Sequence, residues 1–175
     1  MTSGYQPVPP PQPVREEGER AVRPKDAATI IIWRKQRRRV EVLMGERHRA
    51  HKFLPHRYVF PGGRVDPQDA RIRAASEMSP AVNAQLSRTT RKGRARSIAI
   101  AAIRETFEET GLIIGAEDPR PHRPPPGGWE PFFDAGFAPA LDRLEYIARA
   151  VTPVFRPIRF DARFFMVHAN EVVGD

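Results

Sequence analysis

Arg104-Glu105-Thr106-Phe107-Glu108-Glu109-Thr110-Gly111-Leu112 is the stretch on which the reading of this chain turns. Residues 98–110 carry helical spacing, and Gly111 stands where helices commonly end in a left-handed residue. On a helical wheel Ile100, Ile103 and Phe107 fall on one side, while Glu105, Glu108 and Glu109 gather opposite within an arc of about 100°. Like charges one turn apart destabilise a helix by a few tenths of a kcal/mol per pair, roughly, so the cluster needs water or a cation. Gathered carboxylate oxygens suit a hard divalent ion, Mg²⁺ or Mn²⁺. The plain alternative is a solvated acidic face steadied by an Arg104–Glu108 pair. Yet Ile98, Ala101 and Ala102 open the same face, so the helix is apolar nearly all round at its start and acidic near its end. That pattern predicts a helix packed between layers with a polar pocket at one end.

Upstream, residues 28–33 read as a buried strand, 34–39 as a basic turn and 40–44 as a second strand, together a hairpin. Residues 57–60 form a short third strand ended by Pro61, Gly62 and Gly63, a breaker cluster that lets backbone approach a ligand closely. Residues 66–97 are polar, helical in part and strongly basic, with the character of an insertion. Downstream, the reading predicts a strand at 112–114 and a loop at 118–131, rich in Pro and Gly. An amphipathic helix at 138–149, a strand near 147–152 and a last strand at 162–167 follow.

The nine-residue stretch resembles the second half of the Nudix box, Arg-Glu-apolar-x-Glu-Glu-x-Gly-apolar, and Phe60-Pro61-Gly62-Gly63 resembles the strand end that precedes that box. The resemblance implies a Nudix α/β/α sandwich with a mixed β-sheet. It implies Mg²⁺-dependent (or Mn²⁺-dependent) hydrolysis of a nucleoside diphosphate linked to another moiety, by attack of water on phosphorus. By carry-over Glu105, Glu108 and Glu109 are metal ligands, Arg104 holds them in place, and Gly63 supplies backbone near the metal. Arg47, Arg57, Gly62 and Gly63 are the expected substrate-binding residues.

In this family the second glycine is followed by five residues and then by a glutamate eight positions before the arginine. Here that last position is Arg96, and about 30 residues separate Gly63 from the helix, so the box reads as split by the insertion. The split, with a basic and apolar lead-in over residues 47–57, is similar to the peroxisomal coenzyme A diphosphatase branch, which implies coenzyme A or an acyl-coenzyme A as substrate. Capped or 5′-phosphorylated RNA is the second substrate reading. A non-catalytic Nudix-type module binding nucleic acid or another anion through the basic insertion is the rival from another class. Thr106 stands where the box has an aliphatic residue. The strand at 162–167 leaves too few residues for a further strand and C-terminal helix, so the expectation is either a fragment, with the fold truncated at that end, or a fold completed otherwise.

Composition bounds the rest. A chain of 175 residues suits one domain with a tail. Pro7, Pro9, Pro10, Pro11 and Pro13 predict a disordered arm over residues 1–25, leaving 26–175 as the catalytic domain with its insertion at about 66–97. The absence of cysteine excludes a disulfide framework, a thiolate metal site and a cysteine nucleophile. A net charge of +8 favours anionic partners. With no long apolar run and no targeting segment visible, the expected location is cytoplasmic. His48, His51, His56, His122 and His168 show no metal-type spacing, and Trp33 and Trp129 read as packing residues.

Overall fold

The computed structural model describes residues 21–46, 57–120 and 127–174. Its spine is β1 (Lys25–Gln36), in which Ala28, Ile30 and Ile32 bury one face while Thr29, Ile31 and Trp33 lie half-buried on the other. This alternation is the period of a strand in a layered sheet. Near its end β1 pairs antiparallel with β2 (Arg39–Val42), and near its start, along the same edge, with β5 (Gly62–Arg64). Between these come β3 (Gly45–Glu46) and β4 (Tyr58–Val59), a small separate pair. The other edge of β1 runs parallel to β9 (Phe160–His168), which is antiparallel to β8 (Glu145–Val151). The result is a mixed five-stranded sheet with order β2-β1-β9-β8, β5 joining β1.

The long helix α2 (Arg94–Thr110) lies on the face carrying Ile30, Ile32, Phe165 and Val167. Ile98, Ile100 and Ile103 are fully buried there, each contributing roughly 1.5–3 kcal/mol of apolar burial. Leu86 of α1 (Pro80–Ser87) and Phe132 of α3 (Glu130–Asp134) join the same core, and Phe107 meets Phe132 edge to face. Gly111 ends α2 in the left-handed conformation expected of it, donating its N–H to the Phe107 carbonyl.

Several elements differ from the sequence reading. No helix covers 138–149. That segment divides into β7 (Phe137–Pro139), a 3₁₀ turn at Leu141–Arg143 and β8. Leu141 and Leu144 have helical spacing, but a single 3₁₀ turn buries both, and the backbone beyond it is claimed by the ladder to β9, with a bulge between Tyr146 and Ala148. The expected strand at 112–114 is shifted to β6 (Gly115–Glu117), which pairs with β7, and the end of the expected loop at 118–131 opens α3 with Pro131 in its first turn. The helix predicted from residue 98 begins four residues earlier. The insertion is built into the core: Asp69, Ile72 and Leu86 are buried, and Arg73, Arg94 and Arg96 pair with Asp118, Asp26 and Glu77. Residues 1–20 of the predicted arm lie outside the described residues, and Lys25 already belongs to β1. Among the described residues no helix is long and apolar enough to cross a membrane.

Candidate active site

The two glycines ending the 57–63 segment are required by close approach. In the β1–β5 register Gly63 lies opposite Ala28 and Gly62 opposite Thr29. A Cβ at Gly62 would stand 2.4 Å from the Ala28 carbonyl oxygen, and one at Gly63 would stand 2.1 Å from Oε2 of Glu105. The strand is thus brought directly against the acidic face of α2, and the Gly62 N–H donates to Oε2 of Glu109 at 3.0 Å.

Arg104 is the hub of this face. Its Nε and Nη2 donate to the two carboxylate oxygens of Asp69, at 2.9 and 3.2 Å. Nη1 donates to Glu105 at 2.8 Å and to Glu108 at 3.1 Å, and Nη2 also donates to the Arg64 carbonyl at 2.8 Å. All five guanidinium N–H groups are therefore used, a geometry the planar fork of arginine supplies and an ammonium does not. Burial disfavours the charge, yet the Asp69 hydrogen bonds and the three carboxylates hold the guanidinium well above its ordinary pKa. Asp69 is fully buried and is itself fixed by a 3₁₀ turn (Pro67–Arg71): Asp66 caps the turn, and its N–H donates to Asp69 at 2.7 Å. Burial pushes the Glu105 carboxyl above its ordinary range, more than the neighbouring Arg104 lowers it.

Beside this hub lies a cavity of about 240 Å³ lined by Gln68, Asp69, Arg104, Glu108, Gly128 and Trp129. Gly128 has a positive φ of 81°, and a Cβ there would meet Oε1 of Glu108 at 2.7 Å. Trp129 is buried against Phe132 and Phe133, a packing residue as expected, but its Nε1 has no hydrogen-bond partner among the described residues.

The structure therefore brings together Arg104, Glu105, Glu108, Glu109, Gly62 and Gly63. Arg57, half-buried before β4, makes no hydrogen bond or ion pair to the carboxylates among the described residues, and Arg47 lies outside them, as do all the histidines except His168. His168 meets Trp33 edge to face and caps a 3₁₀ turn. Asp69 was missed by the sequence reading, although its position, six after Gly63, was a usable signal. Arg96, which that reading set in the place of an acid, instead pairs with Glu77 and the Ile72 carbonyl. Thr106 is fully buried and satisfied, donating to the Ala102 carbonyl at 2.8 Å. The donor set of carboxylates and close-set backbone fits a hard divalent cation chemically. In this arrangement Glu105 and Glu108 turn to Arg104 and Glu109 to Gly62, so no three acidic side chains among the described residues converge on one point.

No protein-family model matches the chain. Over 89 residues, 51% of its length, it is 36% identical to nudix hydrolase 7 of Caenorhabditis elegans, and the match spans about a fifth (22%) of that protein. The crystal structure of a NUDIX hydrolase from Alicyclobacillus acidocaldarius superimposes with a TM-score of 0.65 at 30% identity, covering 83% of this chain and 70% of the other.

The chain belongs to the Nudix hydrolase family. Its mixed α/β sheet is the Nudix fold, and the hub around Arg104 lies in the stretch that resembles the Nudix box. The resemblance is interrupted after Asp69: Gly63, five residues and an acid are contiguous, and the insertion falls between Asp69 and the α2 start at Arg94. In space the split closes, because Asp69 and Arg104 meet across 35 positions.

Proposed function

We propose that this Nudix chain hydrolyses a phosphoanhydride bond in a nucleoside diphosphate linked to another moiety, using Mg²⁺ or Mn²⁺. The reading is carried by Arg104, which holds Asp69, Glu105 and Glu108 together against the Gly62–Gly63 backbone. Glu105, Glu108, Glu109 and the backbone at Gly63 are the proposed metal ligands. When bound, the cation neutralises diphosphate charge and acidifies water. The chain's own part is positioning: Arg104 fixes Glu105 and Glu108 by hydrogen bonds, Gly62 orients Glu109, and Trp129 with Gly128 walls the cavity beside Glu108. Water oxygen bonds to phosphorus as the bridging P–O bond breaks, the bridging oxygen leaves on the second phosphate, and the proton lost from the water passes to solvent.

Coenzyme A or an acyl-coenzyme A is the favoured substrate, on the split box and on the basic lead-in at residues 47–57. The deciding experiment is hydrolysis of coenzyme A, an acyl-coenzyme A, NADH, ADP-ribose and capped RNA with and without Mg²⁺, followed by product chromatography. Cleavage that needs the metal and disappears in Glu109→Gln is the expected result. Full activity in both Glu108→Gln and Glu109→Gln, or silence from the folded protein across the panel, overturns it, and the latter returns the basic binding module as the better reading.

A further inference from the structure

A cavity of about 600 Å³ lies apart from the one beside the carboxylates. It lies where the starts of β1, β9 and α2 meet the end of β5 and the turn before α2. Its Arg94 edge lies about 16 Å along α2 from Glu105 by helical rise, while Arg64, on its β5 side, also gives its carbonyl to Arg104.

Six cationic side chains line it, Arg23, Lys25, Arg64, Arg91, Arg94 and Arg163, against two acids, Asp26 and Asp161. Both acids are already engaged. Asp161 accepts from Arg149 at 2.7 Å and pairs with Arg163 at 2.7 Å, while Asp26 pairs with Arg94 at 3.2 Å and lies 3.6 Å from Arg163. Arg23, Lys25, Arg64 and Arg91 are exposed and make no ion pair among the described residues. Like charges are thus gathered around one hollow with no ion-pair partner among the described residues, which raises the local positive potential and favours an anion there. A further observation points the same way. The α2 helix starts here on Gly93, with no side chain capping its first turn and no acid within it, so its unsatisfied N–H groups add positive potential.

We propose that this cavity is a second anion site, separate from the carboxylate centre, which takes the diphosphate group of a small ligand. Its volume is that of a small-molecule pocket, which favours a compact anion over a nucleic-acid backbone. Free diphosphate and the diphosphate of a nucleotide share the recognised chemistry.

The test is isothermal titration of the full chain in EDTA with inorganic pyrophosphate, ADP and a 20-nucleotide RNA. The expected result is metal-independent binding of pyrophosphate or ADP that is unchanged in Glu109→Gln. It is weakened tenfold or more in Arg23→Ala/Arg91→Ala, whose altered residues are exposed and unpaired. Equal affinities mean a site for phosphates alone, tighter ADP a site that also takes the nucleoside, and both support the proposal. Binding that needs Mg²⁺, is lost in Glu109→Gln, persists undiminished in the arginine variant, or occurs only with RNA overturns it. None of these outcomes depends on whether the chain hydrolyses anything, so failure here is distinct from failure of the catalytic reading.

Discussion

Asp69 and Arg104 form a two-pronged ion pair, 2.9 and 3.2 Å, with Asp69 wholly buried and the arginine side chain 10% exposed. The pair joins the 3₁₀ turn before the insertion to the acidic helix after it. Removing one partner strands a buried charge. Asp69→Asn is therefore expected to destabilise the fold by about 3 kcal/mol, read as a lowered denaturation midpoint in urea. Arg104→Lys should also fail, because one ammonium cannot serve Asp69, Glu105, Glu108 and the Arg64 carbonyl together. Stability of both variants equal to the parent chain would refute the hub.

Gly63 tests the site apart from the fold. Its φ is ordinary, so alanine carries no backbone strain, but the new Cβ would displace the Glu105 carboxylate. Gly63→Ala should lower metal-dependent hydrolysis on the order of 10–100-fold while moving stability by less than about 1 kcal/mol. Metal titration of activity for the two proteins checks it, and an unaltered metal dependence would separate Gly63 from the site.

Asp161 supplies the pH dependence. Burial raises its carboxyl, but hydrogen bonds from Arg149 and the charge of Arg163 outweigh it and hold the pKa below the ordinary range. The folded pKa thus lies below the unfolded value of about 3.9, and the unfolded chain takes up the proton first as pH falls. The stabilisation is complete well above pH 4 and is lost as pH drops through the folded pKa. Denaturation of Asp161→Asn should therefore show a deficit at pH 7 that narrows in acid, and a deficit constant with pH would contradict the assignment.

Thr106 makes the opposite prediction. Its hydroxyl bonds back to the Ala102 carbonyl within α2, a bond that adds little to a helix. Thr106→Val keeps the shape and removes the only polar atom of that side chain. Stability should change by less than about 1 kcal/mol and hydrolysis should be unaffected, as urea titration and a rate assay would show.

Much of the site was legible in the order of residues because its pieces repeat a helical period. Glu105, Glu108 and Glu109 share a face by spacing alone, and Gly62 and Gly63 announce close backbone approach. The segment at 138–149 was misread for a related reason: Leu141 and Leu144 carry the same three-residue spacing in a single 3₁₀ turn, and the pairing of 145–151 with β9 is a long-range contact that local periodicity does not encode.

By itself, then, the order of residues determined the central strand, the buried acidic helix and its glycine cap, since each follows from side-chain period and local backbone preference. Only the tertiary structure decided what Arg104 holds and where the exposed cations gather. Asp69 reaches Arg104 by chain closure over the insertion, and the basic cavity collects Arg23, Lys25, Arg64 and Arg91 from three separate segments of the chain. Charges so distant interact only after packing sets them within a few ångströms and removes the water between them.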